Sequence, residues 1–175
     1  SGSAAKYPVI VDANTAIMDT GTVARIASWV RAGGTFITFA QTGRHTPEEP
    51  NSWPISALSG YRVTGIDPHK ASGSEANTRL FTLAEGQTVF TTNDWPVGQK
   101  FHSNGLSLEK IAPQCRDLIT WEDGSVAAGV RLLGKGRVIH LGIKFGSARG
   151  GVGGHNRLML QRVFEWAKVP TLPAR

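Results

Sequence analysis

The chain has 175 residues, which is the size of one domain and leaves little room for two. Charged residues make up 18% of it, against roughly 25% in average globular proteins, and this composition excludes a disordered charged tail. The net charge of +6 comes from basic residues that are spread along the sequence, and no stretch approaches the ~18 consecutive apolar residues of a membrane span. We therefore expect neither nucleic acid nor a membrane as a partner.

The two ends of the sequence differ in composition from its body. Residues 1–5 contain only serine, glycine and alanine and lack the basic and apolar regions of a signal peptide, so we interpret them as a remnant of cloning. Residues 6–169 are interpreted as a single domain, and residues 170–175, which contain two prolines, as the beginning of a linker. The only cysteine, Cys115, excludes an internal disulfide bond.

The first 40 residues predict a strand, a helix and a second strand. Residues 7–12 form a short β-branched run that is typical of a buried strand. From Asp19 or Thr20 onward, apolar side chains recur three and four positions apart until a pair of glycines, which predicts an amphipathic helix. Residues 35–40 are again β-branched and aromatic. Because the connections are too short for an antiparallel return, we expect a right-handed parallel βαβ unit.

The middle of the chain predicts little regular structure. Within residues 43–116 the sequence indicates one helical turn at 55–58 and edge strands at 61–63 and 88–91. Residues 117–143 are different, since β-rich runs there are separated by the turn sequences Asp-Gly and Gly-Lys-Gly. This pattern predicts a three-stranded antiparallel meander.

A glycine-rich stretch, residues 146–154, precedes a C-terminal helix that ends before Pro170. The stretch matches neither of the glycine patterns of nucleotide-binding folds, and we interpret it as a connecting loop. The whole sequence therefore predicts an α/β fold, with a parallel core, an antiparallel extension and helices packed on its faces.

Two stretches carry a resemblance to a known family. Residues 30–35 read Val-Arg-Ala-Gly-Gly-Thr between the predicted helix and second strand, and Asp123-Gly124 is followed by Gly-Lys-Gly-Arg at 134–137. In order and spacing they resemble class I glutamine amidotransferase-like domains, in particular the version found as the β-galactosidase trimerisation domain of bacterial glycoside hydrolases. The resemblance extends over roughly residues 7–145. It implies a flavodoxin-like parallel core with an antiparallel β-meander extension and flanking helices.

The resemblance also implies an additional strand, helix and strand before residue 7, which this sequence lacks. Either the sequence begins inside the domain, or the domain is a shortened variant.

The glutaminase chemistry of this family requires a cysteine in the sequence Gly-x-Cys-x-Gly on a sharp turn after a strand. Here the corresponding run, residues 39–43, is Phe-Ala-Gln-Thr-Gly, so Gln41 stands at the nucleophile position. An amide cannot attack a carbonyl carbon. Residues 143–147 lack the His and Glu that should follow the last strand, and no histidine lies near Cys115 in the sequence. We therefore assign no catalytic residue and expect no glutaminase activity from the chain on its own.

The five histidines lack the spacings that place two metal ligands on one helix face, so we expect no metal site and no cofactor. His140 lies within a predicted strand, and we interpret it as a core residue.

Polar residues at the C-terminal ends of the parallel strands and tryptophans in polar loops are candidates for ligand binding. Open α/β sheets usually bind ligands at those strand ends, and an indole ring stacks well on a sugar. The candidates are Asp12, Gln41, Arg44, His45, Trp53 and Trp95. Either tryptophan could instead fill the edge of the core or an interface between domains.

These observations favour a non-catalytic accessory domain of a multidomain carbohydrate-active enzyme. Its partner would be the catalytic domain of the same polypeptide or another copy of the chain. One alternative is a stand-alone carbohydrate-binding module that uses its loop tryptophans. Another is an enzyme whose unrecognised site lies at the strand ends, where Asp12, Asn14 and Gln41 could converge with Arg44 and His45. The sequence indicates no compartment, and a parent hydrolase would leave a secreted or periplasmic location open.

Overall fold

The computed structural model describes residues 7–67, 79–90, 98–144 and 154–168, which form a mixed α/β fold. In chain order the elements are β1 (Val9–Asp12), α1 (Thr20–Arg31), β2 (Thr35–Phe39), α2 (Ile55–Ser59), β3 (Tyr61–Ile66), β4 (Arg79–Leu83), β5 (Phe101–Ser103), β6 (Leu106–Lys110), β7 (Cys115–Trp121), β8 (Val126–Leu133), β9 (Gly136–Leu141) and α3 (Gly154–Trp166). Of the predicted glycine-rich loop at 146–154, residues 146–153 lie outside the described residues and Gly154 begins α3; both chain ends and Trp95 also lie outside the described residues.

The predicted parallel βαβ unit is confirmed. β1 pairs in parallel with β2 from Val9 opposite Thr35 onward, and β2 pairs in parallel with β9 on its other side. Helix α1 connects β1 and β2 and begins at its predicted cap, where the Asp19 side chain accepts a hydrogen bond from the backbone N–H of Thr22 at 2.7 Å. The helix ends at Arg31, just before Gly33 adopts a positive φ.

The antiparallel part of the sheet continues from β9. Strands β9, β8 and β7 form the predicted meander, and β4 and β5 extend it, so the main order is β1-β2-β9-β8-β7-β4-β5. A side branch arises because β6 pairs with β3 and also joins β8 beyond the end of β9, where Leu108 lies opposite Val126. The result is a curled mixed sheet.

The predictions for the middle of the chain were only partly correct. Helix α2 and strand β3 form where a helical turn and an edge strand were predicted, but β4, β5 and β6 were not foreseen. The predicted strand at 88–91 was wrong for residues 88–90, the part that the structure describes. There the side-chain oxygen of Gln87 accepts hydrogen bonds from the backbone N–H groups of Val89 and Phe90, both at 2.9 Å. Those two N–H groups are therefore used locally and are not available to a neighbouring strand.

The helices cover opposite faces of the parallel strands. Adjacent residues of β2 point to opposite faces, so Phe36 packs in a cluster with α1 and α2 while Ile37 packs in a cluster with α3. A third cluster, around Tyr61, lies where β3 and β6 branch from the sheet. Within the described residues, no helix is both long and apolar enough to cross a membrane.

Candidate functional site

The loops that follow β1 and β2 lie against each other at the C-terminal edge of the parallel strands. Backbone hydrogen bonds join them: Gly43 donates to the carbonyl of Thr15 at 2.8 Å, and His45 donates to that of Ala16 at 2.9 Å. Met18 in turn donates to the carbonyl of His45 at 3.0 Å. The predicted meeting of polar residues from the two loops therefore occurs, and the backbones of the loops are fixed relative to each other.

Asp12 connects the two loops. Its Oδ1 accepts one hydrogen bond from the backbone N–H of Thr15 at 2.7 Å and another from the hydroxyl of Thr42 at 3.1 Å. Thr42 is fully buried, and its hydroxyl also accepts a bond from the backbone N–H of Phe39. Thr42 was not among the predicted site residues, although its place as a small polar residue after a predicted strand could have indicated it.

Gln41, at the position where the amidotransferase pattern has its nucleophile, is hydrogen-bonded through both its backbone and its side chain. Its backbone N–H donates to the side-chain oxygen of Asn14 at 3.0 Å, and its own side-chain oxygen accepts from Nη1 of Arg44 at 3.1 Å. Asn14 adopts a positive φ of 72°, a conformation that Asn tolerates better than most residues. Of the predicted candidates, Gln41 and Arg44 are thus in direct contact.

Arg44 is oriented by a second amide that the sequence analysis missed. Its Nε donates to Oδ1 of Asn51 at 2.6 Å, and its guanidinium carbon lies 5.9 Å from the centre of the Trp53 ring. His45 also contacts Asn51, since its Nδ1 accepts from the Asn51 backbone N–H at 2.9 Å. Nothing in the sequence signals this role of Asn51, because it depends on the loop folding back over seven residues.

Trp53 closes the edge of the core. Its ring packs against both the cluster under α1 and the cluster around Tyr61, and its backbone N–H donates to the carbonyl of Arg44 at 3.1 Å. The φ of Trp53 is 50°, which is unusual for a bulky residue. Trp53 is half-buried, and these contacts fit the predicted alternative in which it fills the edge of the core. The structure thus brings together five of the six predicted candidates, and the sixth, Trp95, lies outside the described residues.

The thiol of Cys115 lies away from this edge, in the cluster around Tyr61. Its sulfur donates to the carbonyl of Gly60 at 3.3 Å, and burial raises the pKa of Cys115. Burial, with Asp117 accepting from its hydroxyl at 3.1 Å, also raises the pKa of Tyr61. Both groups are therefore protonated at neutral pH, whereas a cysteine nucleophile requires the thiolate.

His140, in β9, is 1% exposed, and its Nδ1 lies 3.4 Å from the hydroxyl of Thr38 in β2. Burial lowers the pKa of His140 to about 4, so the ring is neutral at physiological pH. Among the described residues, no three His, Cys, Asp or Glu side chains come together as a metal site would require.

Comparisons with known proteins place this geometry in context. No family model and no curated protein matches the sequence. Among solved structures, the β-galactosidase of Rahnella sp. R3 matches with a TM-score of 0.69 and 17% identity, over 94% of this chain and 23% of that one. The β-galactosidase of Bacillus circulans sp. alkalophilus matches with a TM-score of 0.66 and 14% identity, over the same shares. The chain has the fold of one domain of these enzymes.

The chain spans about a quarter of the length of the β-galactosidases that it matches. The fold also occurs elsewhere, since the mmIFT52 N-terminal domain matches with a TM-score of 0.65 and 11% identity, over 97% of this chain and 80% of that one. At these identities the comparisons establish the fold alone.

Proposed function

We propose that this chain is a non-catalytic accessory domain of a multidomain glycoside hydrolase and that it packs against the catalytic domain of the same polypeptide. The observation that carries the proposal is the unequal coverage: 94% of this chain corresponds to 23% of a β-galactosidase. One domain of a longer enzyme produces this relation. The sequence motifs at residues 30–35 and 134–137 point independently to the same class of domain.

The chemistry of the strand edge supports a role without catalysis. Gln41 stands where the amidotransferase pattern has its nucleophile. Its backbone N–H is hydrogen-bonded to Asn14, and its side chain is hydrogen-bonded to Arg44. The thiol that could replace it, Cys115, is buried in a different cluster and remains protonated. Neither Gln41 nor Cys115 can therefore supply the nucleophile that glutaminase chemistry requires.

The edge of β1 is the surface that best fits a packing role. Within the described residues β1 pairs only with β2, so its outer edge carries unpaired backbone N–H and C=O groups. Exposed apolar side chains lie in β1 and just before it, with Tyr7 60% exposed and Val11 41% exposed. Apolar surface at an unpaired strand edge is stabilised when another domain covers it.

The first test is the complete reading frame that contains this sequence. We expect it to encode a glycoside hydrolase catalytic domain in the same polypeptide. A complete frame without one would contradict the proposal.

The second test uses the full-length enzyme with two charges introduced at the proposed interface, Tyr7→Asp and Val11→Asp. We expect these substitutions to loosen the domain and to accelerate its release by limited proteolysis. The matched control is Ile111→Asp, because Ile111 is 51% exposed and follows β6 rather than β1. Equal effects of the control and the interface variant would show that the β1 edge is not the contact surface, and a shift in oligomeric state would identify a second copy as its partner.

A further inference from the structure

Among the described residues, Arg44 makes hydrogen bonds but no ion pair. The side chain is only partly exposed, and its two hydrogen-bond partners are the neutral amide oxygens of Gln41 and Asn51. Arg62 and Arg79 pair with carboxylates, whereas Arg131, like Arg44, donates to neutral oxygens. No ion pair joins Arg44 to a carboxylate in the part of the chain that the structure describes.

The two amides leave hydrogen-bond donors around the guanidinium group. Each amide accepts from Arg44 through its oxygen, so its –NH2 group points away from that bond and keeps two donors. Neither –NH2 group, nor Nη2 of Arg44, has a hydrogen-bond partner among the described residues. Three nitrogens with free N–H groups, one of them on the guanidinium group of Arg44, therefore lie on one loop at the strand edge.

This group of donors is held in place before any ligand arrives. The backbone N–H of Asn51 is bonded to His45, and that of Trp53 is bonded to the carbonyl of Arg44. Asn51 and Trp53 adopt positive φ values of 57° and 50°, which are sparsely populated outside glycine and cluster at ligand sites. The Trp53 ring beneath Arg44 is anchored in two apolar clusters. Fixed donors bind an anion more tightly because less freedom is lost on binding.

We propose that Arg44, Gln41 and Asn51 form a binding site for a carboxylate-bearing sugar, with a further acceptor supplied by Asp12 at the end of the neighbouring strand β1. A carboxylate can accept hydrogen bonds from Nη2 of Arg44 and from the two amide –NH2 groups, and its charge is opposite to that of the guanidinium group. Asp12 is joined to Thr42, two positions before Arg44, and its Oδ2 makes no hydrogen bond among the described residues. That oxygen offers an acceptor for a sugar hydroxyl, which a bare oxyanion could not use.

The site is independent of the proposed packing role, since it lies on the strand-end loops and not on the outer edge of β1. Through this site the accessory domain would bind uronate-containing saccharides.

The test is a titration of the 175-residue chain with D-galacturonate, D-glucuronate, D-galactose and inorganic phosphate, followed by NMR chemical shifts and calorimetry. We expect the uronates to bind and shift resonances of residues 41–53, while galactose binds at least tenfold more weakly. Binding should weaken as salt concentration rises.

Three variants assign the site. Arg44→Gln removes the charge and should weaken uronate binding at least tenfold, while Arg44→Lys keeps the charge, loses the planar donors and should bind with intermediate affinity. Asn51→Gly keeps a backbone that favours positive φ and removes only the amide, so it should fold normally and bind severalfold more weakly. The control is Arg25→Gln, at an exposed arginine of α1 that donates to Thr22.

Four outcomes would overturn the proposal. The first two are the absence of uronate binding by the folded chain and a loss of uronate affinity with Arg25→Gln equal to that with Arg44→Gln. The third is galactose binding as tight as uronate binding. The fourth is phosphate binding that is tighter than uronate binding and that Asp12→Asn leaves unchanged. Circular dichroism of each variant separates lost binding from lost folding.

Discussion

Buried His140 makes the stability of this domain depend on pH. In the folded chain burial lowers the pKa of this residue to about 4, whereas an unfolded chain titrates at about 6.5. Above pH 6.5 the ring is neutral in both states and contributes no pH dependence. As the pH falls from about 6.5 to about 4, the unfolded chain binds a proton that the folded chain does not, so the free energy of unfolding decreases.

The size of the effect follows from the two pKa values. At roughly 1.4 kcal/mol per pH unit, the interval between 6.5 and about 4 corresponds to a loss of about 3 kcal/mol. This is a large share of the roughly 5–15 kcal/mol that stabilises a typical domain. Below pH 4 the folded state also binds the proton, and the contribution of His140 stays constant.

The assay is urea unfolding, followed by tryptophan fluorescence, between pH 4.5 and pH 7. His140→Gln keeps a side chain that can bond to Thr38 and does not titrate, so its stability should fall less over this interval than that of the unmodified chain, by about 2–3 kcal/mol. The control His102→Gln replaces an exposed histidine of β5 in the same way and shows whether any change in the pH profile is specific to the buried position. Parallel pH profiles for the unmodified chain and His140→Gln would refute the reasoning.

Three further predictions concern packing and chemistry. A Cβ at Gly136 would lie 2.1 Å from the carbonyl oxygen of Val30, so Gly136→Ala should lower the free energy of unfolding in urea by about 2–4 kcal/mol. In the control Gly65→Ala, the Cβ would meet Ser107 at 3.4 Å, and the free energy of unfolding should fall by less than about 1 kcal/mol. Trp53→Ala should cost about 3 kcal/mol, because its ring packs on two clusters, and a change below about 1 kcal/mol would contradict that packing. Incubation with glutamine should release no ammonia above background, with or without Cys115→Ser, and any release that this substitution abolishes would contradict the assignment of Gln41 to the nucleophile position.

The parts of the fold that the sequence predicted are those encoded locally. Helix α1 carries its own cap at Asp19, and the meander is specified by Asp-Gly and Gly-Lys-Gly turns between β-rich runs. Strands β4 and β5 were missed because they are short and are not joined by a tight turn: β5 pairs with β4, and β4 pairs on its other side with β7. At 88–90 a β-rich run does not form a strand, because Gln87 takes up the backbone N–H groups.

The candidate site shows the same division. Parallel topology alone brings the ends of β1 and β2 together, so the proximity of Asp12 to the loop at 41–45 could be predicted. The position of Asn51 could not, because it depends on a positive φ and on a contact with Arg44. The sequence left open whether Trp53 stacks on a sugar or fills the edge of the core or an interface, because its contacts with two apolar clusters depend on tertiary packing.

The pairing of β2 with β9 has a consequence for how the chain is made. Thr38 and His140 face each other across 102 positions of sequence, so β2 has no partner on its inner side until nearly the whole domain has left the ribosome. Until then, the first βαβ unit exposes an apolar strand edge, which invites pairing with other chains. Synthesis that stops before β9 should therefore yield an aggregation-prone fragment rather than a smaller folded domain.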